Sequence, residues 1–242
     1  MVRNSLFSLE SEERKALATV AAIDRRAFFL TAAHSLPIHT GGAPCQIPGA
    51  LVIQRERKNI HLIKEWPDRD LALLYSPWTS LTQVFELREI TLHDGEKITI
   101  RAIVEHGPNK VLRLWRGSAD MKANTDPMLH IYMKQRTKLP SVQRGACGAA
   151  ATDLHGSLVG ILVGVVSKKL RIEELLSEKV RKKLERGLSK AFGRTVLKTK
   201  FNCKRLEVSS ILAMRGQIRS AITDHLRYLD HQRAEEERLA AR

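Results

Sequence analysis

Short apolar runs, each closed by charged or turn-forming residues, recur from about residue 5 to residue 166. Lys15–Ile23 (KALATVAAI) runs into Asp24-Arg25-Arg26, and Ala27–Ala33 (AFFLTAA) follows at once. Pro37, Gly41, Gly42, Pro44, Pro48 and Gly49 then break the chain repeatedly. Further runs of strand length are Ala50–Gln54, Ile60–Lys64, Leu71–Tyr75, Lys97–Val104, Lys110–Trp115, Leu129–Met133, Ala149–Thr152 and Ser157–Val166. Many short strands joined by turns predict an all-β core, a sandwich or barrel. A polar break at Thr91–Glu96 (TLHDGE) divides them into two antiparallel β-barrels of similar size.

After Val166 the period changes. Ile172, Leu175, Leu176, Val180, Leu184 and Leu188 fall at helical spacing among Lys and Arg; Gly187 weakens the far end and Gly193 stops it. Leu206–Met214 (LEVSSILAM) reads as one more strand. From about Gly216, a second helix is lined by Ile218, Ile222, Leu226, Leu229 and Leu239. The expected division is residues 1–90 for the first barrel, 91–214 for the second with a basic helical insertion at about 168–205, and 215–242 for a C-terminal helix.

Charge sharpens this division. The chain carries a net +15, but residues 168–205 hold 14 Lys/Arg against 4 Glu, and residues 206–242 balance 6 Arg against 6 acids. A concentrated positive segment fits RNA phosphates or an anionic membrane surface, and equally a solvated helix face. Only Phe192 and Phe201 are aromatic within it, so base stacking is not expected there. With 43% hydrophobic residues the chain is globular. No apolar run reaches the ~18 residues of a membrane span, and the start shows no signal-peptide stretch. Cys45, Cys147 and Cys203 are too few and too scattered for a disulfide framework or a zinc site, which suits a reducing compartment such as cytosol.

The segment Arg144–Ile161, RGACGAAATDLHGSLVGI, places one of those cysteines between small residues just before an apolar hairpin. A lone cysteine is more often an inert core thiol; a nucleophilic one needs a base or a positive neighbour. His34 ends the apolar run AFFLTAAHSLP, where a barrel strand meets its loop. Asp70 opens Asp70-Leu71-Ala72-Leu73-Leu74 and can orient an imidazole. Asp68 and Glu65 are rivals, but Asp70 directly precedes the apolar strand. Gly145 lets its own N–H and that of Cys147 point at one spot, as an oxyanion requires. His155, on a hairpin tip, reads as solvated. His39, His61, His93, His106 and His130 show no pairing in the sequence pattern.

Leu30-Thr31-Ala32-Ala33-His34, Asp70-Leu71-Ala72-Leu73-Leu74 and Gly145-Ala146-Cys147-Gly148 with Gly156-Ser157-Leu158-Val159-Gly160-Ile161 resemble three motifs of trypsin-like proteases, in the same order. Cysteine at the nucleophile position resembles the chymotrypsin-like cysteine proteases of picorna-like RNA viruses, the 3C-like group. The resemblance covers roughly residues 5–166, with a last strand near 206–214. It implies a trypsin-like pair of barrels, a His34-Asp70-Cys147 triad, an oxyanion hole at Gly145 and Cys147, and no cofactor or metal. It also implies a polyprotein substrate and action in the host cytoplasm. Ser141, Val142, Leu162, Val163 and Gly164 then border the pocket for the residue before the cut. Ala146 replaces the Asp of trypsin-like zymogens, so activation by a freed N-terminus is not expected. Leu162 stands where most 3C-like enzymes have a His that recognises Gln or Glu, and some nepovirus proteases of plants resemble this sequence there. Leucine donates no hydrogen bond, so Gln/Glu specificity is expected to be absent or weak. The alternative from another class is an RNA- or membrane-tethering module, working through residues 168–205 on a protease-like scaffold.

Overall fold

The computed structural model describes residues 6–10, 15–23, 26–36, 45–53, 56–76, 84–106, 109–120, 128–133, 146–171 and 200–241. The first half contains β1 (Leu6–Glu10), β2 (Lys15–Ile23), β3 (Arg26–Ala32), β4 (Cys45–Ile53), β5 (Glu56–Trp66), β6 (Leu71–Tyr75) and β7 (Phe85–Glu86). They lie in the order β1-β4-β5-β6-β3-β2-β7, and β1 also pairs with β2, so the sheet returns on itself. The second half contains β8 (Lys97–His106), β9 (Asn109–Asp120), β10 (Met128–Met133), β11 (Ala150–Thr152), β12 (Leu158–Arg171) and β13 (Lys200–Ser210). These close as a barrel, β10-β13-β12-β11-β8-β9. Helix α1 (Ile211–Ala240) follows. The architecture is an all-β core of two antiparallel barrels with a C-terminal helix.

Alternation along the strands explains why several read as continuous apolar runs. On β6, Ala72 and Leu74 face the interior of the first barrel with Phe29, Val20 and Leu62. Leu71 and Leu73 face a separate cluster between the barrels, with Phe28, Leu30, Ala150, Leu158 and Ile161. A strand buried on both faces has no polar side to show. The second barrel has its own interior around Trp115, Ile98, Ile100, Val159 and Leu162. Leu17 reaches into this interior from β2 of the first barrel.

The end of the chain departs from the sequence expectation. The last strand stops at Ser210, and Ile211–Met214 form the first turn of α1 rather than the end of a strand. The reason is local: the Ser210 hydroxyl accepts a hydrogen bond from the Ala213 N–H at 3.4 Å, as an N-cap does. Ile211, Met214, Ile218, Ile222 and His225 then form one buried stripe at helical spacing. They complete the cluster between the barrels. Residues 168–171 and 200–205 also differ from expectation. They extend β12 and β13 as a two-stranded ribbon, Lys168 opposite Cys203 and Arg171 opposite Lys200. The helix expected over 172–188 lies outside the described residues.

His225 closes the buried stripe. It is 8% exposed, and neither ring nitrogen has a hydrogen-bond partner. Its ring stands edge-on to Tyr75 at 5.3 Å. Burial, with a smaller push from His61, holds its pKa below the usual histidine value. A groove of about 480 Å³ lies beside it, between β5 and α1, lined in part by Ile63, Trp66, Ala221 and Asp224. Among the described residues, no helix is long and apolar enough to cross a membrane.

Candidate active site

Two strand ends bring His34 and Asp70 together. Ala32, the last residue of β3, pairs with Leu71, the first of β6. His34 follows β3 in a single 3-10 turn, Ala33–Ser35, and Asp70 immediately precedes β6. Residues far apart in sequence therefore meet at one end of a ladder. The Ala33 N–H donates to the Asp70 carbonyl at 3.1 Å. The His34 N–H donates to Asp70 Oδ1 at 2.8 Å. His34 Nδ1 and Asp70 Oδ2 are 2.6 Å apart. Asp70 thus fixes both the backbone and the ring of the histidine. Of the two rival carboxylates, Asp68 pairs with Arg69 at 3.2 Å, and Glu65 is buried on β5.

Cys147 comes from the second barrel and is half-buried, with a free thiol. Its side chain is close enough to act on the His34 ring. The imidazole pKa is raised from 6.5 to about 10, first by the Asp70 hydrogen bond and then by Cys147, against the opposing effect of burial. With Nδ1 committed to Asp70, Nε2 is the nitrogen that serves the sulfur. The thiol also lies 3.7 Å from the Val163 carbonyl. The Asp70 carboxylate and the nearby sulfur both favour the protonated form of the ring.

The turn that presents Cys147 is closed by the Ala149 N–H donating to the Ala146 carbonyl at 3.1 Å. Gly148 has φ +90°, and a Cβ there would lie 1.7 Å from the Leu17 carbonyl oxygen. Glycine is required at this position by conformation and by space. The turn is tied to β12 by Gly148 N–H to Leu162 O at 2.8 Å and Leu162 N–H to Ala149 O at 2.9 Å. It is tied to the first barrel by Leu17 N–H to Cys147 O at 2.9 Å, and by Thr19 Oγ1 to Gly148 O at 2.7 Å.

The other expected site residues divide into two groups. Gly145, Ser141 and Val142 lie outside the described residues. Leu162 is 1% exposed and belongs to the second barrel's core. Val163 is the extra residue of a bulge between Leu162 and Gly164, which turns its carbonyl toward the thiol. A Cβ on Gly164 would press on the Glu207 carboxylate at 3.1 Å. Sequence reasoning missed Leu17, Thr19 and Thr31, whose contacts with this turn depend on pairing between the two halves. Among the described residues no cluster of three metal-ligating side chains occurs.

No protein-family model and no curated protein matches the chain by sequence. Solved structures match it by fold. Kallikrein-related peptidase 10 aligns with a TM-score of 0.60 at 11% identity, over 92% of this chain and 97% of that one. The same peptidase in complex with Zn²⁺ aligns with a TM-score of 0.56, with the same identity and coverage. The MamO protease domain of Magnetospirillum magneticum aligns with a TM-score of 0.52 at 11% identity, over 89% and 96%. The chain has the chymotrypsin-like protease fold.

Proposed function

We propose that the chain is a cysteine endopeptidase of the 3C-like group, cutting a viral polyprotein in the host cytoplasm. The observation that carries this reading is the His34–Asp70 pair, 2.6 Å apart, with the Cys147 side chain near enough to act on the same ring, on a chymotrypsin-like fold. A histidine protonated at neutral pH is a poor base for a serine hydroxyl. It suits a cysteine, the more acidic and more nucleophilic of the two side chains. The thiolate of Cys147 attacks the scissile carbonyl. The Cys147 N–H, with that of Gly145, receives the oxyanion. His34 gives its proton to the departing amine, then removes one from the water that hydrolyses the thioester. Asp70 keeps the ring oriented throughout. Leu162 is packed into the second barrel's core and supplies no donor for a Gln or Glu side chain, which supports cleavage after other residues.

Mass spectrometry of products from an extended precursor tests this. Cys147→Ala should leave the precursor uncut and the fold intact, and Cys147→Ser should retain a small fraction of turnover. Wild-type cleavage by folded Cys147→Ala would overturn the assignment. The same spectra identify the residue before each cut, and a set dominated by Gln would refute the specificity.

A further inference from the structure

The two reacting side chains stand on different barrels, so the sulfur–imidazole geometry depends on how those barrels are fastened. Three hydrogen bonds secure the attachment beside the site. The Thr19 hydroxyl on β2 donates to the Gly148 carbonyl at 2.7 Å. The Leu17 N–H donates to the Cys147 carbonyl at 2.9 Å. The Leu17 carbonyl in turn accepts from the Thr31 hydroxyl on β3 at 2.7 Å. The peptide units on either side of Leu17 are thus held between the nucleophile's turn and the strand that leads into His34. Thr19 and Thr31 are both fully buried, where a hydroxyl without a partner is costly. Gly148 lies so close that a Cβ would meet Thr31 Oγ1 at 2.8 Å. The joint has no slack.

We infer that Thr19 and Thr31 are positioning residues: their buried hydroxyls lock the Cys147 turn to the strands that carry His34, and so set the thiol–imidazole geometry. The inference rests on the reading of Cys147 and His34 as nucleophile and base. Neither threonine touches the reacting atoms; each acts through the backbone of Leu17 or Gly148. A displacement of about 1 Å between reacting groups costs on the order of 10²-fold in rate. Loss of one hydroxyl is therefore expected to cost about tenfold in kcat with little change in KM.

The test compares Thr19→Val and Thr31→Val, which replace hydroxyl by methyl, with Thr19→Ser and Thr31→Ser, which keep it. Two quantities are read: kcat and KM on a cleaved peptide, and the pH dependence of Cys147 alkylation by iodoacetamide. The Val variants should lose about tenfold in kcat and alkylate more slowly near neutral pH, as the imidazole moves away from the sulfur. The Ser variants should recover both. Should a Val variant fail to fold, Ser is compared with Ala at the same position. Equal alkylation profiles in folded chains with and without the hydroxyl would overturn the proposal and leave the protease reading standing. A wild-type chain that cleaves nothing, yet shows these alkylation differences, would sink the protease reading and leave the positioning role intact.

Discussion

Asp70 has φ 47° and ψ 42°, and it is the one non-glycine residue with positive φ among those described. The left-handed conformation costs most residues about 1–2 kcal/mol, and Asp and Asn tolerate it best. Asn at this position should therefore keep the backbone and lose only the charge. Asp70→Asn removes the largest influence on the His34 ring, so the imidazole pKa should fall. The alkaline limb of kcat/KM, set near 10 in the wild type, should move down with it. An unmoved limb would show that the carboxylate does not hold the proton. The same shift bears on folding. A histidine pKa raised from 6.5 to about 10 contributes stability that is complete below pH 6.5 and lost as pH climbs through about 10. The half-exposed ring keeps that contribution small. Gly148 is the other demanding residue. Gly148→Ala adds a Cβ at 1.7 Å from a carbonyl oxygen in a conformation alanine avoids. The expected cost is about 3 kcal/mol or more, seen as a lower denaturant midpoint and loss of Cys147 alkylation.

Between the barrels runs a segment whose apolar pattern is weak, and one arginine organises it. Arg88 gives Nε–H to the Ile90 carbonyl at 2.8 Å and Nη1–H to Asp153 at 3.3 Å, and it also engages Glu96. Asp153 Oδ1 accepts the N–H groups of His155 and Ser157, both at 2.9 Å, which shapes the tip between β11 and β12. Arg88→Ala removes the counter-charge of a buried Asp153 and leaves it only the two N–H donors; an ion pair broken on one side costs up to about 3–5 kcal/mol. Chemical denaturation near pH 7 checks it. The variant should also be less acid-dependent than the wild type. Burial would raise the Glu96 pKa, but Arg88 and the His93 N–H outweigh it and hold it below the usual 4.5. That stability is present above pH 4.5 and lost as pH falls through the depressed value.

The elements differ in how far sequence alone revealed them. The runs KALATVAAI and LALLY have the bounds of β2 and β6, because charged or turn residues stop each one. β4 and β5 extend beyond their apolar segments, since the hairpin between them continues through charged residues at Arg57 and Lys58. The apolar pattern of the last strand runs past its end at Ser210, because Ile211 and Met214 are as apolar as the strand before them. β1 and β7 are too short to form a pattern. At the site, the strand-end positions of His34 and Asp70 are local facts and could be seen. The Thr19, Thr31 and Arg88 contacts link residues up to 129 positions apart, and no periodicity records such partners.

At the scale of the whole molecule, three apolar clusters among the described residues serve two barrels. Two fill the barrels, and the third lies between them and takes the first half of α1 as its cover. The helix is therefore a seal on the joint along which the candidate site is assembled. Its buried stripe ends at His225, which the fold keeps neutral. Titratable groups on the surrounding elements include His61, Lys64 and Glu65 on β5, Tyr75 on β6, and Asp224 and Arg227 on α1 itself. A histidine pKa lowered from 6.5 gives stability that is complete above pH 6.5 and declines as pH falls below it. His225→Phe, which needs no hydrogen bond, should flatten the melting temperature between pH 5 and pH 7; a slope equal to the wild type's would exclude His225 as its source.

Mild acid should therefore act on this protein as a selective solvent for one seam. A preparation passed through a low-pH elution step would first lose the grip of its C-terminal rod, while the barrels on either side stayed whole. Protease nicking confined to that rod, arising below neutrality and reversed on return to buffer, would be the visible mark of an uncharged imidazole buried where no partner meets it.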